Sequence, residues 1–95
     1  MKKFYKTEKR GLRMTISRDV SDAFTIATAT CTVKDSAGTT VETGSCTIDD
    51  ATITYLADFT KAGYVADQYY VAEFTATLTG LLDVVTEKMQ ILVAS

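Results

Sequence analysis

The fold is decided by FTIATATCTVKDSAGTTVETGS, residues 24–45. Its first ten residues are rich in Thr, Ile and Val, whose branched Cβ favours the pleated surface of a strand over a helix. Side chains alternate across a strand. Thr25, Ala27, Ala29, Cys31 and Val33 therefore form one small, mostly apolar face. Phe24, Ile26, Thr28, Thr30 and Thr32 form another that begins apolar and ends polar, so the strand is expected to run from core to rim. Asp35-Ser36-Ala37-Gly38 then reads as a hairpin turn, with Asp bonding the backbone ahead of it and Gly in the left-handed position. Thr39 to Ser45 is the return strand. Pairing Asp35 with Thr39 sets Cys31 opposite Thr43 and Cys46 opposite Thr28, three rungs apart.

The same period of two recurs outward from this hairpin. Leu12, Met14 and Ile16 alternate with Arg13, Thr15 and Ser17, and Phe4-Tyr5 before them suit a short edge strand. Cys46 to Ile48, a corner at Asp49-Asp50, and Ala51 to Leu56 make one bent strand with Ile53 and Tyr55 on a shared face. Asp58 to Gly63 reads as a single helical turn, capped by Asp58 and stopped at Gly63, with Phe59 closing one end of the core. Tyr70, Ala72, Phe74, Ala76 and Leu78 are the apolar face of the longest strand, and Val85, Met89, Ile91 and Val93 that of the last. The expected core is Ile16, Ile26, Val33, Ile53, Tyr55, Phe74, Leu78, Ile91 and Val93. Strands of this spacing with no helical pattern between them imply an all-β, antiparallel sandwich of about seven strands. It forms one domain over residues 1–95, with 1–11 a basic N-terminal arm or edge strand.

Composition agrees and removes most chemistry. Of 95 residues, 17 are Thr; there is no His, Trp or Pro, and there are 2 Cys. Without His the usual general base and metal ligand are gone. Cys31 and Cys46 lack a base partner and are too few for a structural metal site, so they read as reduced, packed thiols. Asp49-Asp50 reads as a polar turn. As a calcium site with Asp35 or Asp58 it lacks the oxygens the ion needs. No glycine-rich phosphate loop is present. Neither an enzyme nor a cofactor is expected. The lysines of residues 1–13 are not followed by an apolar leader, and no run is long enough for a membrane helix.

The net charge of −2 conceals an asymmetry. Residues 1–18 carry Lys2, Lys3, Lys6, Lys9, Arg10, Arg13 and Arg18 against Glu8 alone, a net of +6, while residues 19–95 sum to −8. The basic stretch is a solvated tail, or it docks on the acidic body of a neighbouring copy or another protein, a head-to-tail contact that builds rings or filaments. Nucleic acid ranks below both, because the body that would continue a phosphate-binding face is acidic. Nothing calls for a membrane. Tyr64 and Tyr69 are the second set of candidate interaction residues: exposed tyrosine offers rigid amphipathic contact area, and either ring could equally pack inward.

TCTVKDSAGTTVETGSCTI (30–48), ATITYLADFTKAG (51–63) and DQYYVAEFTATLTG (67–80), with the closing hydrophobic strand, resemble the small immunoglobulin-like domains of tailed-phage and prophage structural proteins. They are similar to the N-terminal domain family of phage baseplate upper proteins. The likeness covers about two-thirds of the chain. It implies an immunoglobulin-like sandwich and a non-enzymatic role in a virion, head–tail or baseplate assembly, made in the host cytoplasm without a signal peptide and working as a multimer. Its partners would be other copies or other virion proteins. The alternative is a sandwich that binds carbohydrate or a cell surface.

Overall fold

A computed structural model describes residues 2–16, 25–79 and 84–95. These residues form strands and turns without helix, in two packed sheets. The strands are β1 (Lys2–Tyr5), β2 (Lys9–Thr15), β3 (Thr25–Asp35), β4 (Thr40–Ser45), β5 (Thr47–Asp49), β6 (Thr52–Asp58), β7 (Gln68–Thr79) and β8 (Val84–Ala94). One sheet runs β1-β8-β7-β3-β4 and the other β2-β6-β5. The bent strand at Asp49-Asp50 is thus two strands of a hairpin. Asp50 takes φ 57° there, a left-handed conformation that Asp tolerates better than most residues.

Every expected core residue is buried. The antiparallel expectation fails at one place, because β1 lies parallel to β8, Lys2 against Ile91 through Tyr5 against Ala94. A parallel pair needs a long connection, and here the whole chain supplies it. The arm is accordingly an ordered edge strand: Phe4 is buried and stacks on Phe59 at 5.0 Å. Phe59 and Tyr64 meet edge to face, as do Tyr64 and Tyr70, each at 5.0 Å, so four rings close one end of the core. Phe59 plugs that end as expected, but the segment around it is a pair of turns instead of a helical one. The Lys61 amide donates to the Asp58 carbonyl and the Tyr64 amide to the Lys61 carbonyl. Asp58 still acts as a local cap, accepting from the Thr60 amide at 3.0 Å.

Two bulges separate the observed register from the simple one. The hairpin turn forms as read: Asp35 accepts from the Ala37 and Thr39 amides, and Gly38 has φ 87°. Past the turn β4 carries one extra residue, so Val33 faces Glu42, Cys31 faces Gly44 instead of Thr43, and the Cys46 amide reaches the Ala29 carbonyl instead of Thr28. A one-residue slip exchanges the two faces of a strand; here it turns Glu42 inward. The second bulge, at Ala27 of β3, puts Ile26 on the same buried face as Ala29, Cys31 and Val33 and leaves Ala27 exposed. Phe24 and Ser17, read as strand residues, lie outside the described residues.

Candidate interaction surface

Among the described residues, the charged side chain buried in the core is that of Glu42, 6% exposed. Its Oε1 accepts from the Tyr55 hydroxyl at 2.6 Å, and its Oε2 from the Tyr64 hydroxyl and, at 3.3 Å, the Asp58 amide. Lys61 Nζ stands 3.7 Å from Oε1 and reaches solvent. Burial, and then the hydrogen bond to this carboxylate, push both phenols well above their ordinary range. Burial likewise pushes the Cys31 thiol up to about 12, so it stays a protonated packing group. Among the described residues no buried side-chain nitrogen or oxygen lacks a partner, which makes the Glu42 cluster a polar pin between β4, β6 and the 59–67 loop.

Tyr64 is therefore no surface residue. It is 1% exposed, with its hydroxyl spent on Glu42, and the binding role weighed for it is excluded by burial. Nothing local marked it, since the loop has no periodicity and Glu42, its partner, became internal only through the bulge. Tyr69 is 55% exposed. Recesses of about 280 and 210 Å³ flank it, lined among others by Asp35, Ser36, Gln68 and Gln90.

The basic residues divide by neighbourhood. Lys6 turns inward over the 59–61 turn and donates to the Phe59 and Lys61 carbonyls at 3.1 and 2.8 Å. Lys9 lies opposite Asp58 across β2 and β6; the Thr60 hydroxyl bond, and after it the nearby Lys9 charge, hold that carboxyl below the usual range. Arg10 pairs with Glu8 at 2.9 Å and lies over the Phe4 ring. Lys3 lies over Tyr5, 5.5 Å from the ring centre. Lys2, Lys3 and Arg13 make no ion pair among the described residues. The later lysines are different: Lys34 and Lys88 both clasp Glu73 on the outer face, at 3.1 and 3.6 Å, and Lys61 faces Glu42.

Lys2, Lys3, Arg10 and Arg13 meet around a cleft of about 250 Å³ between β1 and β2, with Phe4, Leu12 and Met89 as its apolar floor. β1 ends one sheet and β2 ends the other, so the cleft is the open side of the sandwich. Lys2 shares the inward side of β1 with Phe4, and Arg10 that of β2 with Leu12, by strand alternation. Of the described acids, Glu8 pairs with Arg10 beside this cleft, and others lie away from it. Asp49 and Asp50 are exposed at the β5–β6 turn, and Asp67 is exposed before β7. Asp35 is engaged by its own turn. Among the described residues no group of Cys, Asp and Glu gathers as a metal site. Compared with known protein families, curated proteins and solved structures, the chain matches none.

Proposed function

We propose that this chain is a non-enzymatic structural protein that works by protein–protein contacts in a multimer. In this reading it is an immunoglobulin-like sandwich serving as a virion, head–tail or baseplate component of a tailed phage. The observation that carries the contact role is the basic open side. Three cations without an ion-pair partner among the described residues are fixed on two edge strands, apart from the acidic corners of the same body. A rigid body with separated surfaces of opposite sign favours a heterologous contact with an acidic neighbour. The phage assignment rests on the likeness of residues 30–93 to that family's sequence pattern.

Light scattering behind size exclusion tests the contact role. The full chain is expected to associate at low salt and to come apart toward physiological salt, because exposed charges are screened within about 8–10 Å there. Lys2→Glu with Lys3→Glu should abolish association. This pair is preferable to removing residues 1–10, which would also remove the buried Phe4. A monomer at every salt concentration rejects self-assembly through this side.

A second reading has its own observation. Tyr69, flanked by recesses with Ser36, Gln68 and Gln90 at their margins, offers a ring for a sugar face and amides for its hydroxyls. A glycan array should show binding that Tyr69→Ala removes; a blank array rejects it.

A further inference from the structure

The unpaired edge of β2 can be specified atom by atom. The Ile16 amide donates to the Ala51 carbonyl, and the Phe59 amide to the Glu8 carbonyl. Both bonds fall on the register that pairs Lys9 with Asp58 and Thr15 with Thr52. Hydrogen-bonded pairs alternate in an antiparallel ladder. The even residues of β2 therefore bond to β6, and the amides and carbonyls of Lys9, Gly11, Arg13 and Thr15 point away from it. No described strand takes them. β2 is seven residues long, enough to template a partner strand, and its edge opens beside the basic cleft.

An open edge of this kind commonly pairs with its own copy. Here Lys9, Arg10 and Arg13 would face one another across a β2–β2 contact. The opposite edge of the same sheet, β5, spans only Thr47–Asp49. Charge thus closes this edge to its own kind and leaves it open to an extended chain of opposite sign.

We infer that the β2 edge binds an acidic, extended segment of a partner protein by strand addition. The segment's backbone bonds Lys9, Gly11, Arg13 and Thr15, and its carboxylates face Arg13 on the outer side and Lys2 and Arg10 at the cleft. This inference rests on the reading of the chain as a contact protein and names the partner's chemistry. Main-chain bonds supply the geometry in such complexes, and side-chain pockets supply the choice of partner.

The test uses the full chain and a labelled peptide of alternating Glu and Thr. Anisotropy should show saturable binding at low salt, and amide shifts should concentrate on residues 9–15. The same peptide N-methylated at alternate residues keeps its charge but cannot complete the ladder, and it should bind at least tenfold more weakly. Arg13→Glu, at an exposed position, should weaken the unmodified peptide at least tenfold while circular dichroism stays unchanged. Equal binding of the N-methylated peptide overturns strand addition in favour of plain charge attraction. Tighter binding of oligothymidylate than of the peptide overturns a protein partner. No peptide binding by a chain that still self-associates in a salt-sensitive way overturns this inference alone; loss of both overturns the contact role as well.

Discussion

Glu42 is the residue on which the interior depends most. A buried carboxylate costs desolvation, and this one is tolerated because two hydroxyls and an amide are aimed at it. Glu42→Ala removes the charge but strands those three donors, each costing about 1–3 kcal/mol when buried and unmet. The donors win, and a loss of about 3 kcal/mol is expected from urea unfolding. Replacing the carboxylate and both hydroxyls together, by Glu42→Leu with Tyr55→Phe and Tyr64→Phe, should restore most of that loss, since only the Asp58 amide then lacks a partner. A triple variant no more stable than Glu42→Ala would show that packing, not polar satisfaction, sets the cost. The phenols also set an alkaline limit. Their protonated forms are favoured in the fold, so the stability they lend is complete below about pH 10, the ordinary tyrosine value, and is lost as pH rises above it. The urea midpoint should hold up to about pH 10 and fall above it, and less steeply in Tyr64→Phe. A lone Glu in the Thr-rich run TTVETGS carries no sign of this role. By alternation alone it shares a face with Thr40 and Gly44, and the inward face goes to Val41 and Thr43.

At the scale of elements, the sequence was legible wherever one strand kept one period. β7 and β8 are the clearest cases: Tyr70 to Leu78 and Ile91 to Val93 are buried as their alternation requires. The turn at Asp35–Gly38 was legible because Asp and Gly each have a local conformational reason to be there. The bulges in β3 and β4 were not legible, because an extra residue costs little locally and its benefit appears only in the other sheet. Gly44 shows that benefit. It lies opposite Cys31, and a Cβ there would come within 2.9 Å of Tyr55 Cε1. The shifted strand thus needs a residue without a side chain where the Tyr55 ring passes toward Glu42. Gly44→Ala is expected to cost about 1–3 kcal/mol by overpacking. Gly38→Ala should also destabilise, by about 1 kcal/mol, for a different reason: nothing lies within 4 Å of its Cβ, and only the φ of 87° opposes a side chain. Chemical denaturation of both variants, with a Tyr55→Phe background added, separates the causes. The background should leave Gly38→Ala unchanged; relief of Gly44→Ala there would place the clash at the hydroxyl, and persistence would place it at the ring.

For the molecule as a whole, the open question in the sequence was whether residues 1–11 are a tail or a strand, and no local pattern could answer it. The answer depends on β8, at the other end of the chain, which gives Phe4 a neighbour in sequence-distant Val93 and aims its ring at Phe59. The same segment therefore carries two separable burdens. Phe4 and Leu12 belong to the core, and Lys2, Lys3 and Arg13 to the surface. Phe4→Ala should cost about 3–5 kcal/mol, the usual range for an emptied aromatic site, which is a large share of a domain stability of about 5–15 kcal/mol. Lys2→Glu with Lys3→Glu should leave the thermal midpoint nearly unchanged, because exposed charges contribute little to folding, yet remove salt-sensitive association. The pair of measurements is decisive because a disordered basic tail predicts the reverse for the first variant: Phe4→Ala would then leave the midpoint where it was. A lowered midpoint in Phe4→Ala, beside an unaltered one in the charge-reversed chain, would establish that the basic side is a fixed part of the folded body, as strand addition at β2 requires.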